Sequence, residues 1–169
     1  RIELRQYGQY VVAEVVLQGA YDGALSQGFR ILADYIFGNN RKSEHIAMTV
    51  PVTSQATAAS EKIAMTAPVT AQLQGAGAYR VAFMMPAKYT METLPRPVDK
   101  RIAFRSIGKH RAAALRFSGS LNDASGAGHW AELERWMGRR GLVPDGAPFY
   151  ANYSPPWIPP PFRRNEVIS

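Results

Sequence analysis

The stretch Tyr150-Ala151-Asn152-Tyr153-Ser154-Pro155-Pro156-Trp157-Ile158-Pro159-Pro160-Pro161-Phe162-Arg163-Arg164-Asn165-Glu166 gathers more chemistry-bearing side chains than any other part of the chain. Five prolines make it stiff and extended. Tyr150, Tyr153 and Trp157 could form an aromatic wall, with Arg163 and Arg164 clamping a flat ligand that carries carboxylates. The same residues equally describe a rigid connection packed over one end of a barrel, with Arg164 paired to Glu166 or another inner carboxylate. Glu166 beside tyrosines has the ingredients of a general base in a cleft, but beside arginines it is expected to be a structural ion-pair partner. His129 and Glu132 have the i, i+3 spacing of two metal ligands on a helix, and also of an ordinary exposed face. With three His and no Cys in 169 residues, disulfides, thiolate nucleophiles and Cys-held zinc or iron–sulfur centres are excluded. There is no Gly-x-Ser-x-Gly elbow and no phosphate-cradling Gly-rich loop. A non-enzymatic binding protein is therefore the first expectation.

The 20 Lys+Arg exceed the 13 Asp+Glu, for a net charge of +7. The basic residues are scattered, with tight pairs such as Arg41-Lys42, Arg139-Arg140 and Arg163-Arg164. No basic run is interleaved with aromatics, so an acidic small ligand is expected rather than nucleic acid. At 46% hydrophobic and 20% charged residues the composition is globular. No run approaches the ~18 apolar residues of a membrane span. The first residue is Arg1, not Met, which leaves localisation open between cytoplasm and periplasm or envelope. Membrane association is expected only through a segment upstream.

The elements that must position these residues are legible as an internal duplication. Offset by 100, Arg1-Ile2-Glu3-Leu4-Arg5-Gln6-Tyr7-Gly8 aligns with Arg101-Ile102-Ala103-Phe104-Arg105-Ser106-Ile107-Gly108, and seven of the first 24 pairs are identical. Both copies read as a short strand, a Gly turn, a long apolar strand, a second Gly and a helix. The long strands are expected at Tyr10–Leu17 and Ala112–Phe117. The first is almost continuously apolar, broken only by Glu14, which implies burial on both faces. A first helix is expected from about Asp22, as N-cap, to Phe37, with Leu25, Phe29, Leu32 and Ile36 on one face. A second is expected from about Gly126 to Arg140, with Trp130, Leu133 and Met137 inward. Further strands are expected at Ile63–Val69, Tyr79–Met85, Phe149–Tyr153 and Glu166–Ile168. The expected architecture is α+β, one domain over 1–169. Two strand–helix–strand–strand (βαββ) units, about 1–95 and 100–169, are related by a pseudo-twofold.

A second repeat has a spacing of 17: Ile46-Ala47-Met48-Thr49-Val50-Pro51-Val52-Thr53 recurs as Ile63-Ala64-Met65-Thr66-Ala67-Pro68-Val69-Thr70. It reads as a hairpin whose prolines push it toward a sheet edge or bulge.

Several segments together resemble the SOUL, or heme-binding-protein, family. They are Ile2-Glu3-Leu4-Arg5-Gln6-Tyr7, Phe37-Gly38-Asn39-Asn40, Lys62-Ile63-Ala64-Met65-Thr66-Ala67-Pro68-Val69, Arg116-Phe117-Ser118-Gly119, Tyr153-Ser154-Pro155-Pro156-Trp157 and Arg163-Arg164-Asn165-Glu166-Val167. The resemblance implies a distorted β-barrel flanked by two helices, and binding of heme or another tetrapyrrole, a planar anionic ligand. The same architecture occurs in gyrase-inhibitor-like effector-binding domains, some of them hydrolases. A small-molecule effector-binding or hydrolytic domain is thus the alternative expectation. In the family, some members ligate iron with a His where this chain has Gln6, and an amide is a poor ligand for heme iron. Others hold heme on the first helix by an apolar residue, kept here as Phe29. The family's basic positions fall on Ser26 and Asp34, so Arg30, Lys62 or the Arg163-Arg164 pair would have to substitute. Met48, Met65 and His110 (the counterpart of Tyr10 in the duplication) are further candidates toward iron, each also explicable as core filler or strand end.

Overall fold

The computed structural model describes residues 1–42, 60–64, 69–154 and 157–169. Apolar alternation produces eight long strands and two 16-residue helices. They run in the order β1 (Ile2–Tyr7), β2 (Tyr10–Gln18), α1 (Tyr21–Ile36), β3 (Asn40–Arg41), β4 (Val69–Gln74), β5 (Ala78–Met84), β6 (Arg96–Pro97), β7 (Ala103–Ile107), β8 (His110–Phe117), α2 (Asp123–Gly138), β9 (Phe149–Asn152) and β10 (Asn165–Ile168). The main sheet is antiparallel, open and strongly curled, in the order β1-β8-β10-β9-β4-β5-β2-β7. That order reads the same from either end once β1 is exchanged with β7, β8 with β2, β10 with β5 and β9 with β4. Register preserves the duplication as well: Tyr7 faces His110 between β1 and β8, and Ile107 faces Tyr10 between β7 and β2. These two pairs are related by the same offset of 100 that aligns the sequences.

Helix α1 packs over β2 and β5, and α2 over β8 and β10. Residues such as Val15, Val81, Phe83, Leu115 and Val167 point to this covered face, where Leu32, Tyr35 and Ile36 of α1 and Leu133 of α2 meet them. Burying each large side chain stabilises the fold by about 1.5–3 kcal/mol. The helices approach closely where a glycine allows it. A Cβ on Gly28 would stand 2.6 Å from Val81 Cβ, and one on Gly126 would stand 3.0 Å from the ring of Tyr150. Among the described residues no helix is long and apolar enough to cross a membrane.

Some expected boundaries are corrected. Helix α1 starts at Tyr21, not Asp22, and its N-cap position is Ala20, which offers no side-chain bond. The Tyr21 N–H instead donates to Asp123 Oδ2 of α2 at 3.3 Å, so the other half of the molecule supplies an acceptor there. Asp22 lies in the first turn, where its charge suits the helix dipole. Helix α2 starts at Asp123, three residues before the expected Gly126, because Asn122 and Ser125 form a reciprocal capping box. Of the strand expected at Ile63–Val69, Ile63 and Ala64 lie outside any strand and Val69 belongs to β4. The amide of Ile63 donates to Ile36 O at 2.7 Å, at the end of α1, and is not available to a sheet ladder. The rest of the 17-residue repeat, with Met48, Pro51, Met65 and Pro68, lies outside the described residues.

Candidate functional site

Alternation also decides what the uncovered face of the sheet presents. The side chains not taken by the core on β1, β8 and β10 include Glu3, Arg5, Tyr7, Ala112, Ala114, Arg116 and Glu166. On β2, β5 and β7 they include Glu14, Arg80, Ala82 and Arg105. Small alanines on the inner strands leave room for long polar side chains to reach across them. Glu166 is fully buried and accepts four hydrogen bonds. Arg5 grips it bidentately, Nη1 to Oε2 at 2.6 Å and Nη2 to Oε1 at 2.9 Å. Arg164 Nη2 donates to Oε1 at 2.9 Å, and Tyr153 Oη donates to Oε2 at 2.8 Å. The Arg164 guanidinium also lies 4.2 Å over the Tyr153 ring, a cation–π contact. Arg5 continues outward to Glu3 Oε1 at 2.7 Å and to the Tyr7 hydroxyl at 3.2 Å.

Burial by itself would raise the pKa of Glu166, but the hydrogen bonds from Arg5, Arg164 and Tyr153 outweigh it and hold the carboxyl down at about 2. A carboxylate so fully engaged has no lone pair to spare for proton abstraction, and its chemistry here is that of an ion-pair anchor. Tyr153 is pushed up to about 12 by burial and by the adjacent carboxylate, so it stays a neutral donor.

A second buried carboxylate occupies the other half. Glu14 accepts from Arg105 Nε at 3.0 Å and lies 3.0 Å from its Nη2, while Arg80 Nε stands 3.7 Å away. On this face the strands and the segment leading into β10 thus carry five arginines, Arg5, Arg80, Arg105, Arg116 and Arg164, against Glu3, Glu14 and Glu166. The Nε atoms of Arg80 and Arg164 are buried with no hydrogen-bond partner among the described residues.

At one end of the sheet, the β1–β2 and β7–β8 turns form an open groove lined by Gln6, Tyr7, Gly8, Lys109, His110 and Arg111. The His110 ring stacks on Tyr7 with centroids 5.2 Å apart and planes 18° apart, and tilts against Tyr10 at 6.1 Å.

The structure separates the residues singled out in the sequence. Gln6 is exposed in the groove. Phe29 is half-buried against Phe83 in the core, at 5.5 Å between ring centroids, with Arg30 exposed on the next position of α1. Lys62 is exposed, and Met65 lies outside the described residues. Tyr150 belongs to the covered core beside Tyr21, on the opposite face from Tyr153. Trp157 is 78% exposed. Arg163 Nε donates to Ile158 O at 2.7 Å and staples the proline-rich loop, whereas its neighbour Arg164 joins Glu166. The expected pairing of Arg164 with Glu166 is present; Tyr150 does not converge on that carboxylate. Sequence reasoning missed Arg5, Tyr7, Glu14 and Arg105 as a set. Two signals were available: Glu14 alone breaks an apolar strand, and Arg5 and Arg105 are identical mates across the duplication.

The fold has counterparts among solved structures. The EcmrR C-terminal domain superimposes with a TM-score of 0.69 at 10% identity, over 99% of this chain and 94% of that one. A hydrolase from Listeria innocua gives 0.63 at 12% identity, over 99% and 90%. SAV2435 bound to tetraphenylphosphonium gives 0.54 at 6% identity, over 99% and 92%. At these identities the likeness is one of fold. No curated protein matches the sequence. The profile of the SOUL heme-binding proteins matches residues 1–60 and 54–169, nearly the whole chain in two overlapping pieces, and the chain belongs to the SOUL family.

Proposed function

We propose that this chain is a small-molecule-binding domain that receives an anionic ligand on the uncovered face of its curled sheet. The observation that carries the reading is the pair of buried Nε donors, on Arg80 and Arg164, with no acceptor among the described residues. A buried donor without a partner costs about 1–3 kcal/mol, which an incoming carboxylate or phosphate oxygen would recover. The excess of arginine on the same face sets the sign of the ligand, and Tyr7, Tyr10 and Tyr153 offer it flat apolar surface. This reading is that of a small-molecule effector-binding domain; one protein of similar fold, SAV2435, is described as bound to tetraphenylphosphonium.

The test is thermal unfolding with a panel of planar carboxylates, protoporphyrin and hemin among them, beside the cation tetraphenylphosphonium. A ligand at 100 times its Kd stabilises by about 2.7 kcal/mol, or roughly 5–10 °C in Tm for a chain of this size. At least one carboxylate should produce such a shift, and Arg164→Ala should reduce it. Stabilisation by the cation alone, or by nothing in the panel, would refute the anionic site.

A second reading, tetrapyrrole binding, is favoured by the groove beside Gln6. There an imidazole stacked on a tyrosine ring and two cations, Lys109 and Arg111, line one groove. These are residues that suit a metalloporphyrin with acidic side chains: bound heme would supply an iron needing an axial ligand, while this chain would supply cations for the propionates and rings for the macrocycle edge.

A further inference from the structure

We propose that β1 is a self-complementary edge through which two copies of this chain pair antiparallel, joining their two eight-stranded sheets into one. The sheet is open, and among the described residues β1 is paired on one side alone, with β8. The backbone fixes which groups are left over. The Arg116 N–H donates to Arg1 O at 2.9 Å, and the Arg1 nitrogen donates to Arg116 O at 3.2 Å. Arg1 and Arg116 are therefore a hydrogen-bonded pair of the antiparallel ladder. Alternation then turns the backbone groups of Glu3, Arg5 and Tyr7 toward β8, and those of Ile2, Leu4 and Gln6 toward the open edge. Among the described residues these outward N–H and C=O groups have no backbone partner. Such a row is a template for another strand.

The sequence of β1 selects both the partner and the register. With Leu4 on a twofold axis, Leu4 lies opposite Leu4 of the second copy, Ile2 opposite its Gln6, and Glu3 opposite its Arg5. Every outward backbone group of Ile2, Leu4 and Gln6 then meets a partner, and each charge faces its opposite. Sliding the register to centre on Glu3 puts Glu3 against Glu3, and centring it on Arg5 puts Arg5 against Arg5; like charges directly opposite are destabilising. Glu3 has capacity for a second guanidinium. Its Oε1 is held by Arg5 of its own strand at 2.7 Å, while Oε2 has Arg1 Nε at 3.8 Å. Leu4 is 59% exposed on the side of the sheet that the helices cover, and its counterpart would give it an apolar neighbour. The opposite edge, β7, does not have this pattern. Ala103 stands where β1 has Glu3, so pairing β7 with itself about Phe104 leaves Arg105 opposite an alanine. The Ile102 N–H beside it already donates to Asp99 O at 3.3 Å. A β1-to-β7 contact would match Glu3 with Arg105 but leave Arg5 opposite Ala103. The charge pattern thus favours a closed twofold pair over an open chain of copies.

Sedimentation velocity at increasing protein concentration tests the pairing. The wild type should show a reversible monomer–dimer equilibrium, with a dissociation constant on the order of 100 μM for so small an interface. Leu4→Pro removes an N–H that faces the open edge and leaves the β1–β8 ladder intact, so it should weaken the dimer roughly tenfold or more. Leu4→Lys sets two like charges on the axis and should do the same, which keeps the test decisive if the proline variant fails to fold. Crosslinking tests the register. The chain has no Cys, so Leu4→Cys adds a single thiol. The Cα atoms of a hydrogen-bonded pair lie about 5.5 Å apart, within disulfide reach, and mild oxidation should trap the dimer. In Gln6→Cys the two thiols would be offset by four residues, roughly 14 Å, and should not crosslink. A wild type that stays monomeric up to about 1 mM would overturn the proposal. So would undiminished dimerisation of Leu4→Lys, or equal crosslinking of the two cysteine variants. Species that grow beyond dimers with concentration would overturn the closed pair in favour of β1-to-β7 chains.

Discussion

The two halves of the molecule solve the same problem with different parts. Arg5 and Arg105 occupy equivalent positions on the two outermost strands, and each turns onto a buried glutamate. The glutamates themselves are not equivalent. Glu166 comes from β10, whose counterpart strand β5 places Arg80 at the matching pair with the neighbouring strand: Glu166 faces Arg116, and Arg80 faces Val16. Glu14 comes from β2, whose counterpart on β8 is Ala114. Duplication therefore kept the backbone register and the edge arginine, while the carboxylate moved one strand inward or outward. The consequence is a difference in burial. The Glu166 side chain is 0% exposed and Arg5 20%, against 11% for Glu14 and 37% for Arg105. One half holds a desolvated, fourfold-bonded anion, and the other a looser pair near solvent.

The largest effect should come from removing the two carboxylates in turn. Glu166→Ala removes the buried counter-charge shared by Arg5, which keeps only Glu3, and the half-exposed Arg164, and should cost about 3–5 kcal/mol of unfolding free energy. Glu14→Ala strands arginines that can turn to water and should cost about 1–2 kcal/mol. Urea denaturation of both variants measures the difference, and equal losses would remove the asymmetry. Acid sharpens the same comparison. The folded-state pKa of Glu166 lies below its ordinary value of 4.5, at about 2. The linked stability is therefore fully present above about pH 4.5 and is lost as pH falls through about 2, on the order of 3 kcal/mol in all. Glu166→Gln should flatten the stability profile across that window, at a lower plateau; a slope as steep as the wild type's would place the titrating group elsewhere.

A smaller effect distinguishes how the helices dock. At Gly28 a methyl group would press on the branched stem of Val81, with Cβ, Cγ2 and Cγ1 at 2.6, 2.8 and 2.9 Å. A β-branched core residue cannot swing away, so Gly28→Ala should destabilise by about 1–3 kcal/mol despite its better helix propensity. At Gly126 the obstacle is the edge of the Tyr150 ring at 3.0 and 3.2 Å, which can slide by a few tenths of an ångström. Gly126→Ala should therefore be nearly neutral, the gain of up to ~1 kcal/mol in helix propensity offsetting the push. Thermal unfolding of the pair checks this, and a neutral Gly28→Ala would show that α1 is free to shift away from β5.

Sequence alone revealed the fold because its strongest signals are periodic. The offset of 100, the apolar run Tyr10–Leu17 and the inward face Leu25, Phe29, Leu32 and Ile36 each report a burial pattern that backbone geometry enforces. Boundaries were less legible where a partner distant in sequence decides them, as when Ile63 gives its amide to the end of α1 or Asp123 receives that of Tyr21. The candidate site was legible only in fragments. Arg164 and Tyr153 were visible as neighbours of Glu166. Arg5, 161 residues away, comes to the same carboxylate only through the placement of β1 beside β8 and β8 beside β10. Charge type can be read along a strand, but pairing across strands requires the topology. Tyr150 and Tyr153 look alike as neighbours in sequence, yet strand β9 and its end send them to opposite faces.

The smallest of the expected effects concerns the helix starts, where the halves again diverge from a common pattern. Asp22 is the duplication mate of Asn122, and both are good N-cap residues. Only Asn122 serves, with its Oδ1 accepting from Ser125 N at 2.9 Å and its own N–H donating to Ser125 Oγ at 3.0 Å. In the first half the helix begins earlier, at Tyr21, because Asp123 accepts the Tyr21 amide from across the interface between the helix ends. Ala20 is left in the N-cap position with extended backbone and no side-chain bond to offer. Asn122→Ala should thus cost about 1 kcal/mol, while Ala20→Ser should add a few tenths to about 1 kcal/mol by supplying an acceptor to the second or third helical amide. If Ala20→Ser has no effect in a denaturation experiment, then Asp123 already provides all the capping that α1 can use. In that case Asp123→Ala should destabilise the N-terminus of α1 as well as its own helix, which amide hydrogen exchange on the first turn of α1 would report directly.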